Sequence, residues 1–202
     1  MISLSEVRHM AAERSTAPLV KVLCLTRLTP NILTLTGFLV SVAAAVMIAK
    51  EWLLLGGGLV LLSGAFDLLD GPLARATGQS TKFGAILDST CDRLGEAAVL
   101  LGLLVLYLDR HSTWEPVLIY VTFVGSVLVS YVKARAEGLG VKCEVGIFTR
   151  AERVIVLALG LLIGHWMEKA VPIALGILAA LALVTVMQRL IYIRYKTGGE
   201  EP

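Results

Sequence analysis

Asp67, Asp70, Asp88 and Asp92 are the residues whose type and spacing can do chemistry. The first two are three positions apart and the last two four apart, each pair at the polar edge of a long apolar run. Both intervals put the carboxylates of a pair on one helix face. The short segment between the pairs predicts that the second helix folds back beside the first as an antiparallel neighbour, so that four carboxylates converge at one depth. An aspartate inside a bilayer costs roughly 2.5–3.5 kcal/mol on insertion scales, and clustered carboxylates repel one another. Solvated helix ends account for Asp67 and Asp70, but not for Asp88 and Asp92, which apolar residues surround. One or two divalent cations remove the difficulty. Oxygen-only donors suit Mg2+ or Mn2+ rather than zinc.

Small residues accompany the carboxylates. Gly71 and Ala74 lie four and seven positions after Asp67, on its face, and Gly84 lies four before Asp88. They leave room for a ligand beside the metals, and Arg75 adds a fixed cation suited to a diphosphate. Together the residues spell D-x2-D-G-x2-A-R-x8-G-x3-D-x3-D, with eight fixed positions in 26 residues. This pattern resembles the CDP-alcohol phosphotransferase family. The resemblance implies an enzyme that moves a phosphatidyl-type group from a CDP-linked lipid, such as CDP-diacylglycerol, to an alcohol. It implies two divalent cations, with Asp67 and Asp88 bridging both, Asp70 holding one and Asp92 the other, and it makes Asp92 the general base. It implies CDP-lipid contacts from Gly71, Ala74, Arg75 and Thr81, and from Asn31, Ile32, Leu33 and Thr34. It also implies a homodimer. No nucleic-acid partner is expected.

The elements that position these groups are membrane helices. The chain of 202 residues is 56% hydrophobic, with a mean hydropathy of +0.80, too apolar for an ordinary soluble domain. A bilayer-spanning helix needs about 20 apolar residues. Windows near that length run over Asn31–Ala49, Trp52–Leu69, Phe83–Leu108, Val117–Val132, Thr149–Met167 and Ala170–Gln188. The expected fold is therefore all-α: six transmembrane helices in one membrane domain over 29–194, preceded by an amphipathic juxtamembrane segment over 1–28 and followed by a short tail, 195–202. The amphipathic reading rests on Leu4, Val7, Met10 and Ala11 at helical spacing. Thr29-Pro30-Asn31 is a helix-start pattern. Gly56, Gly57 and Gly58 permit a close helix contact.

Six spans put Arg8, Arg14, Lys21, Arg27, Arg75, Lys82, Lys133, Arg135, Lys142, Arg150, Arg153, Arg194 and Lys196 on one side of the membrane, with Arg93 and Arg189 inside helices near it. Only Lys50, Arg110 and Lys169 fall on the other. The positive-inside rule then puts both termini and the active site in the cytoplasm, in a cell (inner or plasma) membrane. The first thirty residues lack the apolar core of a cleavable signal. Cys24, Cys91 and Cys143 form no disulfide framework. Trp52, Trp114 and Trp166 fit an aromatic belt at the opposite interface. His9, His111 and His165 are scattered and are not expected to bind metal.

A second basic group bears on the acceptor. Lys133 and Arg135 end the fourth span, Arg153 opens the fifth, and Arg189 is near the end of the sixth. The apolar stretch Val154–Gly164 is too short to span alone, so that helix must take in Glu152 and Arg153. A charge at that depth is tolerated where it faces a cavity or a partner. Converging, Lys133, Arg135, Arg153 and Arg189 would form a phosphate pocket. The stretches FGAILDSTCDR and KARAE…RAER are similar to the bacterial phosphatidylinositol-phosphate synthases, which implies inositol 1-phosphate as the phosphorylated polyol acceptor. Glycerol 3-phosphate would want the same pocket. An ion-coupled transporter is the reading from another class, but it would not need Gly71 and Arg75 framing the carboxylates. Glu96 continues the face of Asp88 and Asp92, either supporting the site or packing a helix.

Overall fold

The structure, a computed structural model, describes residues 18–25, 28–143 and 145–198. These are all-helical, without a strand: α1 (18–25), α2 (Pro30–Ala49), α3 (Leu53–Ala76), α4 (Lys82–Asp109), α5 (Trp114–Gly138), α6 (Arg150–Gly164) and α7 (Ala170–Thr197). Local chemistry sets several starts. Thr29 caps α2 by accepting from the Ile32 N–H, with Pro30 in the first turn. Thr81 caps α4, accepting from the Gly84 N–H at 2.9 Å. Thr149 and Glu152 form a reciprocal capping box that begins α6 at Arg150.

Among the described residues, four helices are long and apolar enough to cross a membrane: α2, α3, α5 and α7. The first half of α4 carries Asp88, Asp92, Arg93 and Glu96. At 15 residues α6 ends at Gly164 and does not extend to Met167; its rise of about 22 Å falls short of a ~30 Å hydrocarbon core. In the other direction α7 runs on to Thr197, beyond both its expected apolar window and the expected start of the tail. The amphipathic pattern over the first 17 residues and the last four residues of the tail lie outside the described residues. Within α1, Val20 is buried while Leu19, Val22 and Leu25 are exposed.

The expected side-by-side pairing of α3 and α4 is corrected. These two helices touch little; α2 packs extensively along both, α6 lies against α3 and α7, and α5 pairs with α7. Small residues explain the arrangement. Gly95 and Gly102 sit seven apart on α4, one facing the Ser41 side chain and the other the Ala45 backbone of α2. Gly56 and Gly57 of α3 face Ile48 and Leu162, whereas Gly58 faces open space. Close backbone approach through small residues is how membrane helices gain packing without a water-driven force. The core so formed includes Ile48, Leu103, Leu106, Leu161, Leu175 and Leu178. Large apolar side chains such as Leu39, Leu101, Leu159 and Ile177 face outward, as suits a lipid-solvated surface. The three tryptophans are exposed at the helix ends opposite the aspartates. There Arg110 pairs with Glu51 at 2.9 Å and joins the α2–α3 and α4–α5 turns.

Gly102→Ala tests this packing. An added Cβ would lie 2.4 Å from the Ala45 carbonyl oxygen and 2.8 Å from its Cα, and backbone cannot rotate away. The expected cost is about 1–3 kcal/mol, seen as a fall in unfolding temperature of the detergent-solubilised protein by roughly 2–4 °C per kcal/mol. Gly58→Ala, which meets nothing within 4 Å, should leave it unchanged.

Candidate metal and nucleotide site

The end of α3 and the first half of α4 bring Asp67, Asp70 and Asp88 together: one carboxylate oxygen from each lies within 4.8 Å of the others. Asp70 is 5% exposed and accepts a hydrogen bond from Thr34 Oγ1 of α2 at 2.7 Å. Thr34 itself is held near the start of α2, where its hydroxyl is also 3.1 Å from the Pro30 carbonyl. The Asp88 Oδ1 atom is buried with no hydrogen-bond partner. A buried carboxylate oxygen left unmatched is costly, and a cation is what it fits. The donor set is all oxygen, so the residues suit a hard divalent cation.

Asp92 borders a small gap with Asp67 and Asp70 at the edge of that trio. Its Oδ1 accepts from Arg150 Nη1 at 2.8 Å, and the same guanidinium nitrogen engages Asp67 Oδ2. Arg150 was counted in the sequence only as part of the positive flank. The signal was present nonetheless: the Thr149–Glu152 capping box fixes the first turn of α6, and Arg150 and Arg153, three apart, then share a face. Cys91 is buried and borders the small gap between Asp67, Asp70 and Asp92.

Beside the trio lies a cavity of about 200 Å³. Asn31, Thr34, Gly71, Ala74, Arg75 and Thr81 line it, together with Asp70 and Asp88. Ile32 and Leu33 do not. Successive helical residues point about 100° apart, so four in a row cannot face one cavity. Ile32 is exposed on the outer face and Leu33 is buried. Gln79, Ser80, Gly84 and Ala85 complete the wall. Gly71 is on this wall, and its nearest neighbour would be the Arg75 guanidinium at 3.7 Å from an added Cβ. A larger side chain there would grow into the space.

The four expected acceptor cations are not equivalent. Arg153 is 4% exposed and makes a bidentate pair with Glu96, at 3.1 and 3.3 Å. Glu96 is the partner of a buried arginine. Arg189 is buried too, donating to the Val145 carbonyl at 2.9 Å and to the Val129 carbonyl. It lies within electrostatic reach of Arg153 and Glu137. Lys133 is exposed and 3.8 Å from Glu137, and Arg135 is exposed on the last turn of α5. Arg150 and Arg153 line a second cavity with Ser63, Glu96 and Thr122, and Lys133, Arg135 and Arg189 do not reach it.

Comparison with known proteins gives the family. Residues 27–189 match the CDP-alcohol phosphatidyltransferase family. The archaetidylinositol phosphate synthase of Methanothermobacter thermautotrophicus is 41% identical over 173 residues, 80% of either chain. The phosphatidylinositol phosphate synthase of Mycobacteroides abscessus is 38% identical, covering 91% of this chain and 86% of its own. Among solved structures, the Mycobacterium tuberculosis phosphatidylinositol phosphate synthase with CDP-DAG bound superimposes with a TM-score of 0.80 at 33% identity, over 90% of this chain and 94% of that one. The same enzyme in complex with manganese and citrate gives 0.79 at 34% identity, over 88% of each chain. With the aspartate spacing, the convergent carboxylates and the cavity beside them, these matches make the chain a multi-pass membrane transferase that belongs to the CDP-alcohol phosphatidyltransferase family.

Proposed function

We propose that the protein transfers a phosphatidyl-type group from a CDP-linked lipid, CDP-diacylglycerol or its ether-linked counterpart, to inositol 1-phosphate, forming phosphatidylinositol phosphate and CMP. The observation that carries this reading is the trio Asp67, Asp70 and Asp88 opening onto a cavity lined by Gly71, Arg75 and Thr81. Relatives named for an archaetidyl and a phosphatidyl product share inositol phosphate in their names, which favours that acceptor over glycerol 3-phosphate.

Asp67, Asp70, Asp88 and Asp92 would hold two divalent cations, Mg2+ or Mn2+. When bound, the cations supply charge neutralisation of the diphosphate and stabilisation of the departing CMP. The chain's own groups do the rest. Arg75 offers a guanidinium fork to the diphosphate. Gly71 and Ala74 keep the cavity wall low, and Thr34 fixes the Asp70 carboxylate. Asp92 takes the proton of the acceptor hydroxyl as that oxygen attacks the lipid-side phosphorus. Lys133, Arg135, Arg153 and Arg189 draw the acceptor's phosphate to the same side. The protein works as a homodimer.

The test is incubation of purified protein with CDP-diacylglycerol and a panel of acceptors, reading CMP and the lipid product. Inositol 1-phosphate should be the best acceptor. Preference for serine or free inositol would remove the phosphate pocket and leave the family chemistry.

All six segments from α2 to α7 cross the membrane in this reading, α6 together with the turn at 165–169 and, like α4, shielded by its neighbours, with both termini and the 77–81 turn in the cytoplasm. The Lys/Arg asymmetry supports it. Cysteine labelling should find the 77–81 turn and residue 198 cytoplasmic and Arg110 and Lys169 outside. A C-terminal reporter on the outer side would mean an odd number of spans.

A further inference from the structure

We infer that Arg150 is a resident counter-cation of the metal site, one whose guanidinium stands between Asp67 and Asp92 where a second cation would sit, and which must move aside for it. This rests on the metal reading above. Asp67, Asp70 and Asp88 converge, and Asp92 borders the same small gap as Asp67 and Asp70. There Asp92 Oδ1 is held by Arg150 Nη1 at 2.8 Å, and that nitrogen also engages Asp67. A further contact runs from Arg150 Nη2 to the Asp92 carbonyl at 3.5 Å. The oxygens that grip Arg150 belong to two of the carboxylates that would bind the second cation. A guanidinium nitrogen placed between Asp67 and Asp92 fills the position and supplies the positive charge that a cation there would bring, so the guanidinium and the metal compete.

Arginine does not lose its proton in a protein, so it yields only by moving. It is placed to do so. Its backbone is fixed by the α6 capping box, while its side chain is 26% exposed and its Nε is buried without an acceptor. Rotation of the side chain therefore releases two carboxylates and leaves the helix in place. Without metal, the same contact offsets repulsion among four clustered carboxylates in a poorly solvated setting. Arg150 thus stabilises the metal-free fold and weakens the second cation site. A residue that merely oriented the ligands would do the reverse, since its loss would weaken metal binding.

Mn2+ binding to purified full-length wild type, Arg150→Gln and Arg150→Lys, followed by titration calorimetry, separates these roles. Arg150→Gln should bind the second Mn2+ about tenfold more tightly, the size of one lost charged hydrogen bond. Its unfolding temperature in chelator should fall by about 2–4 °C, so that the rise on adding Mn2+ is larger than in wild type. Arg150→Lys should fall between. Arg150→Lys keeps the test open if Arg150→Gln fails to fold: it should bind the second Mn2+ more tightly than wild type. Unchanged or weaker Mn2+ binding in Arg150→Gln, or in Arg150→Lys where only that variant folds, overturns the inference. Asp88→Asn is the control for the metal reading. If that variant binds Mn2+ like wild type, the metal site is wrong; if it loses Mn2+ while Arg150→Gln binds normally, only the counter-cation role is.

Discussion

Asp88→Asn is expected to lower kcat by about 10³-fold or more, on the order of 4 kcal/mol of transition-state stabilisation, while the protein still inserts and folds. Asparagine keeps the shape of the side chain and removes one negative charge from the set that would hold the cations. The Asp88 Oδ1 atom is buried and has no protein partner, so at that oxygen no hydrogen bond within the chain is lost. Loss of one charge from a repelling cluster should leave the metal-free protein as stable as wild type, or more stable, by thermal unfolding in chelator. Asp67→Asn, Asp70→Asn and Asp92→Asn should be inactive too. Asp70→Asn should also lose stability, because Asp70 is buried against Thr34 Oγ1 at 2.7 Å, and Asp67→Asn and Asp92→Asn should lose some, because each weakens the contact with Arg150. CMP release with Mg2+ or Mn2+ supplied is the measurement. Chelation should stop the wild type and added metal should restore it. Near-normal turnover in any two of the four variants would sink the two-cation reading.

What the sequence disclosed follows from how local each feature is. The three-residue and four-residue aspartate spacings are fixed by helical geometry alone, and Asp67, Asp70 and Asp88 do meet. The helix start written in a cap, Thr29-Pro30, came through for the same reason. Thr34 and Asn31 reach the cavity because they are three apart; Ile32 and Leu33, between them, cannot. Neighbours in space were harder. Adjacency along the chain suggested α3 against α4, yet Gly95 and Gly102 lay α4 on α2. Their spacing of seven was visible, but which helix they face is not a local property. Arg150 was missed because eleven residues, 139–149, separate α5 from α6, and nothing local dictates where such a connection delivers the next helix.

The buried pair of Arg153 and Glu96 carries the other large expected effect. Arg153→Ala should destabilise the protein by about 3–5 kcal/mol, because it leaves the Glu96 carboxylate buried without its partner. It should also raise the KM for inositol 1-phosphate strongly and leave that for CDP-diacylglycerol nearly unchanged, since only ground-state binding of one substrate is lost. One variant cannot divide these effects, but a pair can. Glu96→Ala combined with Arg153→Ala removes both charges, so much of the stability should return. The acceptor KM should stay high, because the guanidinium is still missing. Glu96→Gln points the same way: it keeps a hydrogen-bond acceptor near Arg153 but releases the cation from an opposing charge, which should lower the acceptor KM or leave it unchanged. Thermal unfolding and the two KM values, measured across wild type, both single alanine variants and the double, complete the cycle. If the double variant recovers the acceptor KM along with its stability, Arg153 only packs α6 against α4. The acceptor's phosphate would then fall to Lys133 and Arg135, whose charges are exposed on the last turns of α5.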